Sequence, residues 1–136
     1  MEIRGYQVPD DLMYTKEHEW AKEEEKVIRV GITDYAAKTL NDVVYVSAPK
    51  VNVIIEQSKS MGAVESIKAV SEVYAPFSGK VVETNRDLDS HPELINKSPY
   101  VEGWLIVVEP SNLPAERKSL LDSKAYAAFL ETLLQK

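Results

Sequence analysis

Along most of the chain, apolar positions alternate with polar ones at the two-residue period of half-buried strands, and the helical period emerges toward the C-terminus. Residues 1–11 read as a polar leader, and Leu12 to Trp20 opens the fold with Trp20 as a core anchor. After a charged turn from Lys22 to Lys26, Val27-Ile28-Arg29-Val30-Gly31-Ile32 is predicted as a strand. Thr33 or Asp34 then caps a short helix from Tyr35 to Leu40 that turns Ala36, Ala37 and Leu40 inward. Asp42-Val43-Val44-Tyr45-Val46-Ser47 is rich in β-branched residues and bounded by Pro49, so it reads as strand. Beyond the polar crossing Asn85–His91, a last long strand runs up to Glu109. Pro114 begins a helical turn, and Asp122 or Ser123 caps a terminal helix in which Tyr126, Phe129, Leu130 and Leu133 fall at i, i+3, i+4 and i+7. The sum is a mainly β chain with short α-helices, one domain over residues 1–136 with a core at 12–110 and a helical segment at 114–134.

Within that pattern, Val64-Glu65-Ser66-Ile67-Lys68-Ala69-Val70-Ser71-Glu72-Val73 is nearly a palindrome. Folded about the Lys68/Ala69 bond, it sets Ile67 against Val70, Ser66 against Ser71, Glu65 against Glu72 and Val64 against Val73. This predicts a β-hairpin with Lys68-Ala69 as its two-residue tip. Such tips favour Asn-Gly or glycine-containing pairs because they need positive φ, and facing glutamates repel. A turn that sets aside both preferences is expected to serve presentation, with the Lys68 amine at the outermost point.

An internal repeat flanks the hairpin. Residues 45–56 align without gaps on residues 72–83 at an offset of 27, with four of twelve positions identical (Val46/Val73, Ala48/Ala75, Pro49/Pro76, Glu56/Glu83). Each copy reads strand, Ala-Pro corner, turn, strand. One copy cannot bury its apolar face alone, so two related copies are expected to form a pseudo-twofold β-sandwich with the lysine at one end.

Composition removes several function classes. Net charge is −6, which argues against nucleic acid or an anionic membrane as partner. No apolar run approaches the roughly 18 residues of a membrane span, and the first residues lack a secretion signal, so a cytoplasmic protein is expected. Without cysteine there are no disulfides, thiolate metal sites or cysteine nucleophiles. His18 and His91 lie 73 residues apart and in no metal-ligand spacing, so no metal site is assigned. Glycine-rich phosphate loops and a Gly-x-Ser-x-Gly elbow are absent, and the chain is not expected to be an enzyme.

Glu65-Ser66-Ile67-Lys68-Ala69-Val70-Ser71 resembles the attachment motif of lipoyl carriers, and in detail that of the H proteins of the glycine cleavage system. Tyr14 to Trp20, Val30 to Tyr35, Leu94-Ile95-Asn96, Ser98-Pro99-Tyr100 and Glu102-Gly103-Trp104-Leu105-Ile106 extend the resemblance well beyond the motif. It implies a barrel-sandwich hybrid of two antiparallel sheets and lipoic acid amide-linked to Lys68. Attachment by a lipoate ligase or lipoyl transferase removes one positive charge. The implied role is to carry an aminomethyl group from glycine decarboxylase (the P protein) to a tetrahydrofolate-dependent aminomethyltransferase (the T protein). A dihydrolipoyl dehydrogenase (the L protein) then reoxidises the arm. By the same resemblance Glu19 is a contact for the ammonium of the loaded arm, and Glu72 is expected to contribute similarly. Glu65, Ser66, Ile67 and Ala69 are expected to serve recognition, the acidic flanks Glu65 and Glu72 steering the ligase. Lys59 and Lys80 sit at no symmetric tip.

The chain departs from the family where glycine is usual: at Asn41, at Asn52 and within Gln57-Ser58-Lys59-Ser60. Asparagine tolerates positive φ. The divergence leaves open an H-like carrier serving another lipoate-dependent pathway, such as sulfur-compound oxidation. A biotinyl carrier has methionine on both sides of its lysine, whereas Ile67 and Ala69 flank Lys68. A plain interaction module with a bare Lys68 is the remaining alternative.

Overall fold

A computed structural model describes residues 1–135. The expected polar leader is instead a small hairpin, β1 (Glu2–Ile3) and β2 (Tyr6–Gln7). Its two turn residues, Arg4 and Gly5, both adopt positive φ (48° and 91°), the backbone of the tight turns that match strand twist. The Arg4 guanidinium reaches Glu131 at 2.7 Å, and Lys38 Nζ donates to the Gly5 carbonyl at 3.0 Å, so the hairpin is tied to helices at both ends of the chain.

Strands β3 (Met13–Tyr14), β4 (Glu19–Glu24) and β5 (Val27–Ile32) follow. The charged turn is shorter than expected, because Lys22, Glu23 and Glu24 pair in β4 and only Glu25-Lys26 turn the chain, Glu25 at φ 57°. Thr33 caps α1 (Asp34–Leu40) by accepting from the Ala36 N–H. Then come β6 (Val43–Ser47), β7 (Ile54–Ile55), β8 (Ser60–Ser66), β9 (Val70–Tyr74) and β10 (Gly79–Thr84). Two short helices, α2 (Asp87–Ser90) and α3 (Leu94–Lys97), lead to β11 (Ile106–Pro110), which is shorter than the long strand the sequence suggests. The chain closes with α4 (Leu113–Arg117) and α5 (Ser123–Leu134), the latter capped by Asp122.

The other nine strands form a six-stranded sheet, β3-β4-β5-β11-β10-β7, and a three-stranded sheet, β6-β8-β9, all pairs antiparallel. The repeat is visible in this topology. Each copy sends its first strand to the small sheet and its second to the large one, where β7 and β10 pair with each other. Val46, Val64 and Val73 face Ile28, Val30, Val81 and Ile106 across one apolar core. Burying each such side chain contributes about 1.5–3 kcal/mol. A second cluster seats α5 on the N-terminal strands, with Tyr126 stacked on Tyr14 at 4.5 Å and Trp20 fully buried. The Cβ of any other residue at Gly31 would lie 2.7 Å from the Trp20 ring.

The β8–β9 register corrects the palindromic pairing. Glu65 pairs with Val70, Val64 with Ser71 and Ala63 with Glu72, two residues away from the expected partners. The turn is Ile67-Lys68, closed by Ser66 N–H to Ala69 O at 2.8 Å, rather than Lys68-Ala69. Mirror symmetry of letters carries no energy; side-chain bonding does. Ser66 Oγ accepts the Ala69 N–H at 3.1 Å and Asp42 O accepts the Ile67 N–H at 3.1 Å, so the turn closes with no tip residue at positive φ. A two-residue slip leaves each side chain on its expected face, and it parts the two glutamates that would have repelled each other.

Candidate functional site

Lys68 stands at the outermost turn of the β8–β9 hairpin, exposed between exposed Ile67 and Ala69. Lys38 and Lys59 are each held by a carboxylate, at 3.2 and 3.7 Å. Among the described residues Lys68 has no such partner, so its amine is free to be modified. The support beneath it is cross-linked by hydrogen bonds. Asn96 on α3 accepts the Val43 N–H at 3.0 Å and donates to the Asn41 carbonyl at 2.5 Å, fixing the start of β6 against the end of α1. Asp42, between them, supplies the carbonyl that holds Ile67. Of the other candidate recognition residues, Ser66 is buried and shapes the turn, while Glu65 is half-buried on the outer face of the sheet.

At the other end of β9 lies a cleft of about 340 Å³, lined by Thr15, Glu17, Glu19, Ser58, Tyr74 and Ala75. Tyr74 is six residues from Lys68, about 20 Å along an extended strand, and Glu72 about 13 Å. Glu19 is 1% exposed. Its Oε1 accepts the Thr15 hydroxyl at 2.5 Å and its Oε2 the Tyr74 N–H at 3.0 Å. Burial raises its pKa to about 7, against the lowering effect of those two hydrogen bonds. Tyr74 also links the two candidate carboxylates, because its hydroxyl donates to Glu72 Oε2 at 3.0 Å while its backbone N–H holds Glu19. Sequence reasoning missed Thr15, Glu17, Ser58 and Tyr74 as cleft residues. Only the repeat, which ends β9 at the Ala75-Pro76 corner, marks where the cleft must fall.

His18 precedes Glu19 with φ 72°, and its Nδ1 lies 2.8 Å from the Tyr126 hydroxyl, itself 2.9 Å from Thr33 Oγ1. Burial lowers its pKa to about 4, so the ring is neutral and one of its nitrogens hydrogen-bonds the tyrosine hydroxyl. This places His18 in the seating of α5, away from metal or acid–base chemistry. Among the described residues no cluster of His, Cys, Asp and Glu fits a metal ion, and no helix is long and apolar enough to cross a membrane.

The geometry fits a covalent arm: an unpaired amine on a braced apex, and a partly enclosed polar cleft farther down the same strand. Comparison with known proteins agrees. A family model described as glycine cleavage H-protein matches residues 12–133. A glycine cleavage system H protein of Anaeromyxobacter sp. (strain K) is 52% identical over 125 residues, 92% of this chain and 97% of that protein. A probable glycine cleavage system H protein of Pyrococcus furiosus is 49% identical over 134 residues, 98% of this chain and 99% of its own length. The crystal structure of a glycine cleavage system H protein from Mycobacterium marinum superposes with a TM-score of 0.80 at 36% identity, covering 89% of this chain and 97% of that one. With most of its length matched by family model, sequence and fold alike, the chain belongs to the glycine cleavage H-protein family.

Proposed function

We propose that this chain is the lipoyl carrier of a glycine cleavage system, acylated on Lys68 and not itself an enzyme. The observation that supports this most is the exposed, unpaired Lys68 at the apex of a braced hairpin in a chain of this family. When bound, lipoic acid supplies a disulfide that takes up an aminomethyl group and is returned as a dithiol. The hairpin holds the attachment point clear of the body, where the decarboxylase, the aminomethyltransferase and the dihydrolipoyl dehydrogenase can each reach it, as can the ligase or transferase that modifies it. Glu19 and Glu72 offer carboxylates to a terminal ammonium at the cleft end, and Tyr74 orients both. An ammonium beside Glu19 favours the ionised carboxylate, and the contact strengthens as water is excluded. The expected compartment is the cytoplasm.

The test is glycine–bicarbonate exchange with purified glycine decarboxylase. Lipoylated wild type is expected to be active, Lys68→Arg inactive, and Lys59→Arg and Lys80→Arg unchanged. Intact mass should show one lipoyl group in all but Lys68→Arg. A lipoylated wild type that supports no exchange would overturn the glycine assignment in favour of another lipoate-dependent pathway.

A further inference from the structure

His18 stands immediately before Glu19 in the left-handed region, a conformation that strains any residue with a Cβ. Its backbone is tied to the cleft. The His18 N–H donates to Thr15 O at 3.2 Å, and the Glu19 N–H donates to Thr15 Oγ1 at 3.1 Å. Its ring is gripped by two helices. Tyr35 of α1 packs on it at 4.6 Å between centroids and Phe129 of α5 at 5.9 Å, beside the Tyr126 hydroxyl on Nδ1. How His18 sits therefore depends on how α1 and α5 are held together. The β1–β2 hairpin bridges them. On the α1 side the Gln7 N–H donates to Asp34 Oδ2 at 2.9 Å, Lys38 holds the Gly5 carbonyl, and the Tyr6 ring stands edge-on to Tyr35 at 5.1 Å. On the α5 side Arg4 meets Glu131 through both Nε and Nη2, at 3.0 and 2.7 Å, a paired contact that fixes geometry as well as charge. The hairpin precedes residues 12–133, the segment the family model covers, so whatever it does is added to that common body.

We propose that the β1–β2 hairpin is a strap that clamps α1 and α5 about the His18 ring and thereby sets where the Glu19 carboxylate stands in the cleft, with Arg4 and Tyr6 as its positioning residues. Its bearing on a loaded arm rests on Glu19 being the contact for the terminal ammonium. Glu19 is held from two directions, by the Thr15 hydroxyl on the turn that His18 closes and by the Tyr74 N–H on β9. A slackened His18 turn carries Thr15 and Glu19 with it, draws Glu19 away from Tyr74 and admits water to the carboxylate. Water weakens the attraction of that carboxylate for an ammonium. It also restores the acidity that burial suppresses, while Glu17 in the same cleft adds a like charge that acts in the same sense as burial.

The experiment reads Glu19 twice in the full chain. In the unmodified protein, carboxyl-carbon NMR follows its titration. In lipoylated protein loaded with glycine and purified glycine decarboxylase, then separated from that enzyme, intact mass follows loss of the aminomethyl group. Arg4→Asn with Tyr6→Thr removes both side-chain ties while suiting the positive φ at residue 4 and the strand at residue 6. In this double variant the Glu19 midpoint is expected to fall by about one pH unit and the half-life of the loaded arm to shorten about fivefold. Tyr6→Phe, which keeps the ring edge, should retain both values. Ile106→Val loosens the main core and lowers the urea midpoint, yet should leave the Glu19 titration in place. A double variant with the wild-type Glu19 midpoint overturns the proposal, as does an equal shift in Ile106→Val, which would trace the effect to general loss of stability. A shifted midpoint with an unchanged half-life upholds the strap and overturns the assignment of Glu19 to the ammonium, a separate outcome.

Discussion

The two ends of the β8–β9 hairpin are built on opposite principles. At the apex every side chain from Ile67 to Val70 is exposed, and order comes from backbone and Ser66 bonds reaching back into the body. At the base Glu19 is buried, doubly hydrogen-bonded and held with a pKa near neutrality. The apex spends no burial on the group it presents, so its lysine stays available to any enzyme. The base removes a carboxylate from water, which costs stability and raises the strength of any cation contact made there. Strand β9 joins them, leaving the turn at Val70 and reaching Glu19 through the Tyr74 N–H.

The largest expected effect comes from uncoupling the hairpin from the body. A Cβ at Gly62 would lie 2.0 Å from the Ser47 carbonyl oxygen, so β6 and β8 cannot keep their spacing around it. Gly62→Ala is expected to destabilise the fold by about 3 kcal/mol, at the upper end of overpacking costs, read as a lower urea midpoint with unchanged m-value. A midpoint within about 0.5 kcal/mol of wild type would mean the hairpin seats on the body by some other contact.

Much of this was legible in the sequence, and the failures share a cause. The strand Val27–Ile32 and the Thr33 cap follow from alternation and capping chemistry, which are local. The 27-residue repeat predicted two sheets correctly because it reports on burial. What could not be read were long-range satisfactions: Asn96 bracing β6 from 53 residues away, Tyr74 N–H on Glu19 from 55. The hairpin register failed in part for the same reason, since Asp42 lies 25 residues from Ile67. Symmetry suggested a Lys68-Ala69 tip, but the Asp42 carbonyl and the Ser66 hydroxyl decide where the chain turns. Of the site, the sequence pattern pointed to the hairpin apex, Glu19 was singled out only through the family resemblance, and the cleft wall at Ser58 and Tyr74 left no local signal.

A smaller effect separates the base into two neighbours with opposite proton linkage. His18 has a folded pKa of about 4, below its ordinary value of 6.5, so between those values the unfolded chain binds the extra proton and stability rises with pH. Glu19 has a folded pKa of about 7 against 4.5, so there the folded chain holds the proton and stability falls as pH rises. From pH 4.5 to 6.5 the two slopes oppose each other, and wild-type stability is expected to be nearly flat on their account. Glu19→Gln should expose the His18 slope, a gain on the order of 2 kcal/mol from pH 4.5 to 6.5. His18→Asn, which tolerates the positive φ, should expose the opposite slope through pH 7. Denaturant midpoints across this range for the three proteins decide the matter, and parallel curves would remove the proton linkage from the description of the base.

The smallest expected effects compare strain near the two ends. Asn41, Asn52 and Ser58 all hold positive φ, at 62°, 79° and 69°. Asn41 pairs that φ with ψ −140°, a combination costly for any residue with a Cβ, at the C-cap that leads into the brace under the apex. Ser58 lines the cleft, where a β-carbon in the left-handed region costs on the order of 1 kcal/mol. Asn52 belongs to neither end, and asparagine visits this region readily. Replacement by glycine relieves the strain but adds freedom to the unfolded chain, which offsets about 0.5–1 kcal/mol of the gain. Asn41→Gly is therefore expected to stabilise by about 1 kcal/mol, Ser58→Gly by a few tenths, and Asn52→Gly not at all. If Ser58 keeps its strained backbone because its hydroxyl serves the cleft, Ser58→Gly should also shorten the half-life of the aminomethyl-loaded arm while Asn41→Gly leaves it unchanged. Equal half-lives would reduce Ser58 to a tolerated substitution.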